Sequence, residues 1–294
     1  MKALTILTII ASLASGDVLA GETGPMPAPP AAHSFTVGAL RVTALRDSVN
    51  VVPNDGSVFG KDVGSNAVAA LLRGVGLRTD RILLSVDALL VRSDTTVVLI
   101  DTGLGPAIPG SLGASLAEAG VKPEDISTVL ITHVHGDHIG GLITADGNSV
   151  FRNAEIKIAN PDWIWLQKQP EMKQLSSAIS HQVKVFDPGE DVAAGITSVP
   201  IAGHTPGHVG YMITSKGESL LDIGDTAHSS IISLIEPEWT MGYDNDAEGG
   251  KSSRRRILNE LSQSRQLVFA PHFPFPGVGW IERENGHFKW LPKR

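Results

Sequence analysis

The alternation of apolar and polar positions changes period repeatedly along this chain, and each change marks an element. "SFTVGALRVTALRDS", residues 34–48, alternates with a period of two about a central glycine, which predicts a strand or hairpin. "RILLSVDALLVRSDTTVVLIDTG", residues 81–103, predicts two strands joined at Ser93-Asp94, the second ending in Asp101-Thr102-Gly103. "SLGASLAEAG" fits a helix stopped by Gly120. The β-branched run "ISTVLITH" fits a buried strand, "AEIKIAN" another, and "DWIWLQKQ" and "EMKQLSSAISHQ" fit helices. "ITSVPIAGHT", "VGYMITSKG" and "SLLDIGDT" read as strands interrupted by glycine, followed by a helix over "KSSRRRILNELSQS" and a strand at "QLVFA". The tail "GWIERENGHFKWL" predicts a hairpin turned at Asn285-Gly286. Strands and helices mix with neither repeat nor internal linker, so residues 33–294 are expected to form one α/β domain.

Two amino-terminal segments stand apart from this pattern. Residues 1–20 carry one early Lys2, an apolar stretch from Ala3 to Ala14, and Val18-Leu19-Ala20 as a small-residue cleavage site. This is the pattern of a secretory signal peptide, too short and too rich in small residues for a membrane span. The expected location is therefore periplasmic or secreted. Residues 21–32, "GETGPMPAPPAA", read as an extended, mobile Pro-rich linker. No other apolar stretch approaches the length of a membrane helix, so no membrane anchor is expected in the mature form.

Composition narrows the chemistry. A formal net charge of −7 argues against nucleic acid as a partner, which needs a basic face. The one basic run, Lys251 with Arg254 to Arg256, reads as the solvated face of a helix. The chain has no cysteine, which excludes disulfides and thiolate catalysis. Any metal must be held by His, Asp or Glu, a donor set that suits zinc first, and also manganese, iron or cobalt.

Residues 131–142, "ITHVHGDHIGGL", gather His133, His135, Asp137 and His138 within six positions directly after an apolar run. In extended backbone His133 and His135 point to one side. Gly136 is expected to turn the chain sharply and bring Asp137 and His138 toward a second position. Four ligands do not complete two metal sites. His204, Asp225 and His272 each follow an apolar run, as residues at strand ends on one rim of a sheet would. Two divalent ions about 3.5–4 Å apart lower the pKa of a shared water from about 15.7 toward 7, enough to attack a carbonyl or phosphoryl centre at neutral pH.

The segments "THVHGDH", "AGHTPGH", "IGDTAH" and "APHFPFPG" together resemble the metallo-β-lactamase superfamily, and the resemblance runs through essentially the whole mature chain. It implies an αββα sandwich: two packed β-sheets flanked by helices, with two divalent metals at one edge. Matched residue by residue, it implies that His133, His135 and His204 hold one metal and Asp137, His138 and His272 the other. Asp225 would bridge them. Asp137, Asp225 and His228 are the residues expected to act in catalysis.

Several branches of the superfamily fit poorly. Redox di-iron members carry Glu in place of the second His and need a flavin domain. β-Lactamases sharing H-x-H-x-D-H generally lack the bridging Asp. RNA-processing members carry extra domains, and the glutathione thioester hydrolases act in the cytoplasm. What remains is similar to acyl-homoserine lactonases and methyl parathion hydrolase-like enzymes. Three residues after Asp225 the shorter lactonases place Tyr, whereas this chain has His228, as methyl parathion hydrolase-like enzymes do. The expected substrate is a small, neutral, apolar ester, a lactone or aryl ester, with a phosphotriester as the competing class. β-Lactamase activity and a non-catalytic zinc module are the weaker alternatives. A homodimer is open, with no segment marking an interface.

Surrounding residues carry two readings each. Asp101 either accepts a hydrogen bond from the outer nitrogen of a ligand His or ends a strand in a turn. His208 is expected to be structural or to support a ligand. His228 either orients substrate, protonates a leaving group, or packs at the rim. Phe273, Phe275 and Trp280 either line an apolar pocket or belong to the core. Trp163 and Trp165 are weaker candidates for a lid.

Overall fold

A computed structural model describes residues 23–108 and 110–293. The segment expected to be a signal peptide lies outside them. The first sheet comprises β1 (Gly24–Pro27), β2 (Ala32–Val37), β3 (Leu40–Pro53), β4 (Arg81–Arg92), β5 (Val97–Ile100), β6 (Thr128–Leu130), β7 (Glu155–Ala159) and β8 (Val183–Phe186). The second comprises β9 (Asp191–Ala193), β10 (Ile196–Pro200), β11 (Val209–Ser215), β12 (Glu218–Asp222), β13 (Leu267–Phe269), β14 (Val278–Glu284) and β15 (His287–Pro292). The helices are α1 (Ser65–Gly74), α2 (Leu112–Glu118), α3 (Gly136–Ile139), α4 (Asn160–Leu166), α5 (Lys173–Ile179), α6 (Ile232–Ile235) and α7 (Ala247–Ser264).

Three apolar clusters define four layers. Leu116, Ile139, Leu166 and Ile179 from α2 to α5 pack on Leu90, Leu99 and Val129 of the first sheet. Between the sheets, Val42, Leu89, Val91 and Leu130 meet Val209, Tyr211, Ile213 and Phe269. On the far side Ile257, Leu258 and Leu261 of α7 cover Leu221, Val268 and Ile281. Strands so covered on both faces must be apolar at successive positions, which is why β4 and β5 read as near-continuous runs. This is the expected αββα sandwich. The strands β5 to β8 run parallel, as do β12 and β13. Segments leaving the carboxyl ends of β5, β6, β12 and β13 therefore gather at one edge.

Two local expectations are corrected. The Pro-rich segment is docked in part: β1 pairs antiparallel with β3, and Ala28 is buried with its carbonyl accepting from Ser111 Oγ. β1 is an edge strand, where Pro25 and Pro27 need no second ladder partner for the N–H they lack. The basic run is also not wholly solvated. Arg255 and Arg256 are exposed, but Arg254, one step round the helix, is only 3% exposed. The amino end of α7 is capped by Asp246, whose carboxylate accepts from Gly249 N at 3.0 Å.

Candidate metal centre

The loop leaving β6 carries His133 and His135, and α3 then carries Asp137 and His138. Gly136 opens that single helical turn without positive φ, so its conformational freedom is not what divides the ligands. The turn of α3 does that, and the missing side chain leaves Gly136 as open cavity wall. His204 comes from the β10–β11 loop, Asp225 from the turn after β12, and His272 from the loop after β13.

The seven side chains converge as two groups. His133, His135, His204 and Asp225 place ligand atoms within 4.8 Å of one another, and so do Asp137, His138 and His272. Asp225 lies between them. Its Oδ2 is 3.2 Å from His204 Nε2 and 3.6 Å from His133 Nε2, while its Oδ1 is 3.3 Å from His138 Nε2 and 3.0 Å from His272 Nε2. His228 Nε2 sits 3.0 Å from Asp225 Oδ2, and its ring stacks on His272 at 5.3 Å and 7°.

His272 Nε2 makes a hydrogen bond to Asp225 Oδ2 at 3.2 Å, but the other contacts are short without the alignment of hydrogen bonds. His138 Nε2, Asp225 Oδ1 and both nitrogens of His228 are buried without a hydrogen-bond partner. The nitrogens of His133, His135 and His204 face each other at 3.1 and 2.9 Å, an arrangement of lone pairs that neutral imidazoles disfavour. A shared cation at each group gives His138 Nε2, Asp225 Oδ1 and the facing imidazole nitrogens a partner, and three or four His and carboxylate donors fit a divalent ion. The charge balance agrees. Burial opposes charge on His138, yet Asp225, Asp137 and Asp101 hold its pKa well above the imidazole range. Burial likewise opposes His272, but Asp225 and Asp137 raise it to about 9. His135 is lowered to about 3 by burial and by His204, leaving a neutral donor. Buried carboxylates here demand positive charge, and the residues fit two divalent metal ions.

An outer ring of hydrogen bonds aims the donors. His138 Nδ1 meets Asp101 Oδ2 at 2.8 Å, as one reading of "LIDTG" expected, and Asp101 also accepts from Thr132 N and Oγ1. Thr102 N and Oγ1 both donate to the His138 carbonyl. His272 Nδ1 donates to Ser85 O at 2.7 Å. His208 donates from Nδ1 to Ile201 O and accepts at Nε2 from Asp225 N at 3.0 Å. Burial and His204 push His208 down to about 3, so it is the neutral imidazole this relay requires. Gly224 makes it possible: its φ is +46°, and a Cβ there would lie 2.5 Å from His208 Nε2.

Two supporting groups escape sequence reasoning. His204 Nδ1 donates to Asp244 Oδ1 at 2.9 Å, and Asp244 Oδ2 accepts from Arg254 at 2.9 Å. Arg254 also donates to the carbonyls of Thr226, Pro237 and Trp239. Buried Asp162 accepts from Thr205 Oγ1, Gly207 N and Val134 N, fixing the His133–His135 loop to the His204 loop.

The model for the Metallo-beta-lactamase superfamily matches residues 81–272, the stretch holding every one of these ligands. The chain belongs to the metallo-β-lactamase superfamily. An N-acyl homoserine lactonase of Bacillus cereus is 25% identical over 171 residues, covering 58% of this chain and 62% of that relative. The uncharacterized protein YobT of Bacillus subtilis is 27% identical over 145 residues, covering 46% and 60%. The matches thus span about three fifths of the length of these curated relatives. Among solved structures, AidC, described as a dizinc quorum-quenching lactonase in complex with the product N-hexanoyl-L-homoserine, superposes with a TM-score of 0.85. It is 25% identical, over 90% of this chain and 98% of AidC. The hydrolase AbOPH gives 0.81 at 28% identity, over 91% and 99%.

Within this superfamily fold a cavity of about 380 Å³ opens over both groups, lined by Pro25, Leu84, Val86 and Leu104 as well as by His135, Asp137 and His228. The tail aromatics are not among its lining residues, which corrects the pocket expectation. Phe273 is fully buried in the core behind the second sheet, edge-on to Trp290 at 5.0 Å. Phe275 packs against the core between the sheets beneath Arg46, and Trp280 carries Lys293 over its ring. Trp163 and Trp165 pack against the first helical layer, with Trp165 6.1 Å from His135 and outside the cavity lining.

Proposed function

We propose that this protein is a dinuclear metal-dependent hydrolase of small apolar esters, lactones above all. One observation carries the reading: Asp225 presents one oxygen to each ligand group, at the floor of a cavity whose free walls are mainly aliphatic. The names of the lactonase relatives support it, and the dizinc neighbour supports zinc as the resident ion. In this proposal His133, His135 and His204 would hold one ion and Asp137, His138 and His272 the other, with Asp225 placed to serve both. Bound there, the ions supply Lewis acidity and a water that ionises near neutral pH.

The chain does the rest. Asp225 partly neutralises the pair of cations, and His208 holds the Asp225 backbone in place. Leu84, Val86, Leu104 and Pro25 exclude bulk water and admit a hydrocarbon chain. His228 is held down to about 4 by burial, against the pull of Asp225. It is therefore neutral at pH 7, which suits orientation of the substrate better than proton donation. Export to the periplasm or medium belongs to the same proposal and rests on the pattern of residues 1–20.

A substrate panel tests the reading. Metal-loaded protein should contain two ions per chain and hydrolyse N-hexanoyl-homoserine lactone and 4-nitrophenyl butyrate. His228→Ala should raise KM on both. Turnover of a phosphotriester or a carbapenem alone would overturn the ester assignment, and a single ion per chain would remove the bridging role of Asp225.

A further inference from the structure

The cavity over the ligand groups has one polar place besides its ligands and His228. Across the first sheet Pro25 of β1 lies opposite Asn50 of β3, and Asn50 opposite Leu84 of β4. All three line the cavity, so Asn50 is an amide set in an aliphatic row. Tyr243, in the loop before α7, lines the same cavity as Asn50, and its ring lies 5.8 Å from His228.

Tyr243 is open but not loose. It is 37% exposed, yet the next residue, Asp244, is buried and tied to both His204 and Arg254. Asn245 N and Asp246 N donate to the carbonyls of His204 and Gly203. The loop that presents the phenol is thus anchored to the ligand loop itself. An aromatic side chain held open on a rigid support meets a ligand at little entropic cost.

We infer that Asn50 and Tyr243 clasp the part of the substrate beside the scissile ester, selecting esters and lactones that carry a second hydrogen-bond acceptor, such as an amide carbonyl. This rests on the proposed ester hydrolysis. The ligand groups take the reacting ester, the aliphatic walls take the hydrocarbon, and the pair is left for an acceptor between them. A purely hydrocarbon substituent would cover the pair without replacing its water, whereas an amide restores the lost hydrogen bond.

The test uses the full metal-loaded chain with N-hexanoyl-homoserine lactone and γ-decalactone, which lacks the amide. Tyr243→Phe keeps the ring against His228 and removes only the hydroxyl. It should raise KM for the acylamide lactone by about 3- to 10-fold, the usual worth of one partly exposed hydrogen bond, with kcat within about twofold. KM for γ-decalactone should not change. Asn50→Ala should shift the same ratio in the same direction. Calorimetry with the product N-hexanoyl-homoserine should show the same loss of affinity in Tyr243→Phe. Equal effects on both lactones, a change in kcat alone, or no change would overturn the clasp while leaving ester hydrolysis standing. If the unmodified protein hydrolyses 4-nitrophenyl butyrate but neither lactone, the clasp falls alone; if it hydrolyses none of the three, both readings fall.

Discussion

Removing the guanidinium of Arg254 should expose how strongly the His204 support is coupled. Arg254 and Asp244 are 3% and 1% exposed, and they meet at 2.9 Å. In Arg254→Met the buried Asp244 carboxylate loses its guanidinium and keeps only the His204 imidazole as a partner, and three carbonyls lose a donor. Breaking one side of a buried pair costs about 3–5 kcal/mol. For a domain of this size that is about 10 °C in Tm. Asp244→Asn leaves the opposite charge stranded and should cost a similar amount. The double variant strands neither, so it should cost less than the sum of the singles by about 2 kcal/mol or more. Denaturant melts in chelator read this packing cost apart from metal linkage. Zinc affinity, by competition with a chromogenic chelator, should fall about 10- to 100-fold in Asp244→Asn, because an amide has one acceptor oxygen and cannot serve both His204 and Arg254 as the carboxylate does. Additive single costs, or zinc affinity unchanged within twofold, would refute the relay.

Two further outcomes follow from the charges and the core. In metal-free protein His138, His204 and His272 are raised above the ordinary value of 6.5, His272 to about 9. Their contribution to stability is complete below pH 6.5 and lost as pH climbs through the folded values, so the apo Tm should fall between pH 6.5 and 9. Zinc binding at pH 7 should release protons, visible by calorimetry in buffers of different ionisation enthalpy; a rising apo Tm would contradict the charge balance. Phe273→Ala should cost about 3–5 kcal/mol through a core cavity and leave KM unchanged, whereas a KM effect without destabilisation would return Phe273 to the pocket.

Much of the site was legible because each ligand follows an apolar run. A strand covered on both faces is a short apolar string, and the first polar residues after it mark the sheet edge, as at His133, Asp225 and His272. Asp244 had no such mark. It sits in the polar loop "YDND", 40 positions from His204, where nothing local separates a buried carboxylate from a solvated one. Arg254 was hidden by its neighbours: within a run of three arginines, only helical phase relative to the packed face decides which one is buried.

The resemblance to the superfamily implied the grouping of ligands around two ions and the αββα sandwich; what local pattern determined alone was the donor types and the strand ends that carry them. Local pattern suffices for these because metal-binding side chains and apolar periodicity are properties of short segments. The tertiary structure decided orientation. It turned Phe273 into the core, docked Pro25 beside Asn50, buried Arg254 under His204 and left Tyr243 open above the ligands. Those choices depend on which face of a strand or loop meets another layer, and segments distant along the chain meet only when the sandwich closes.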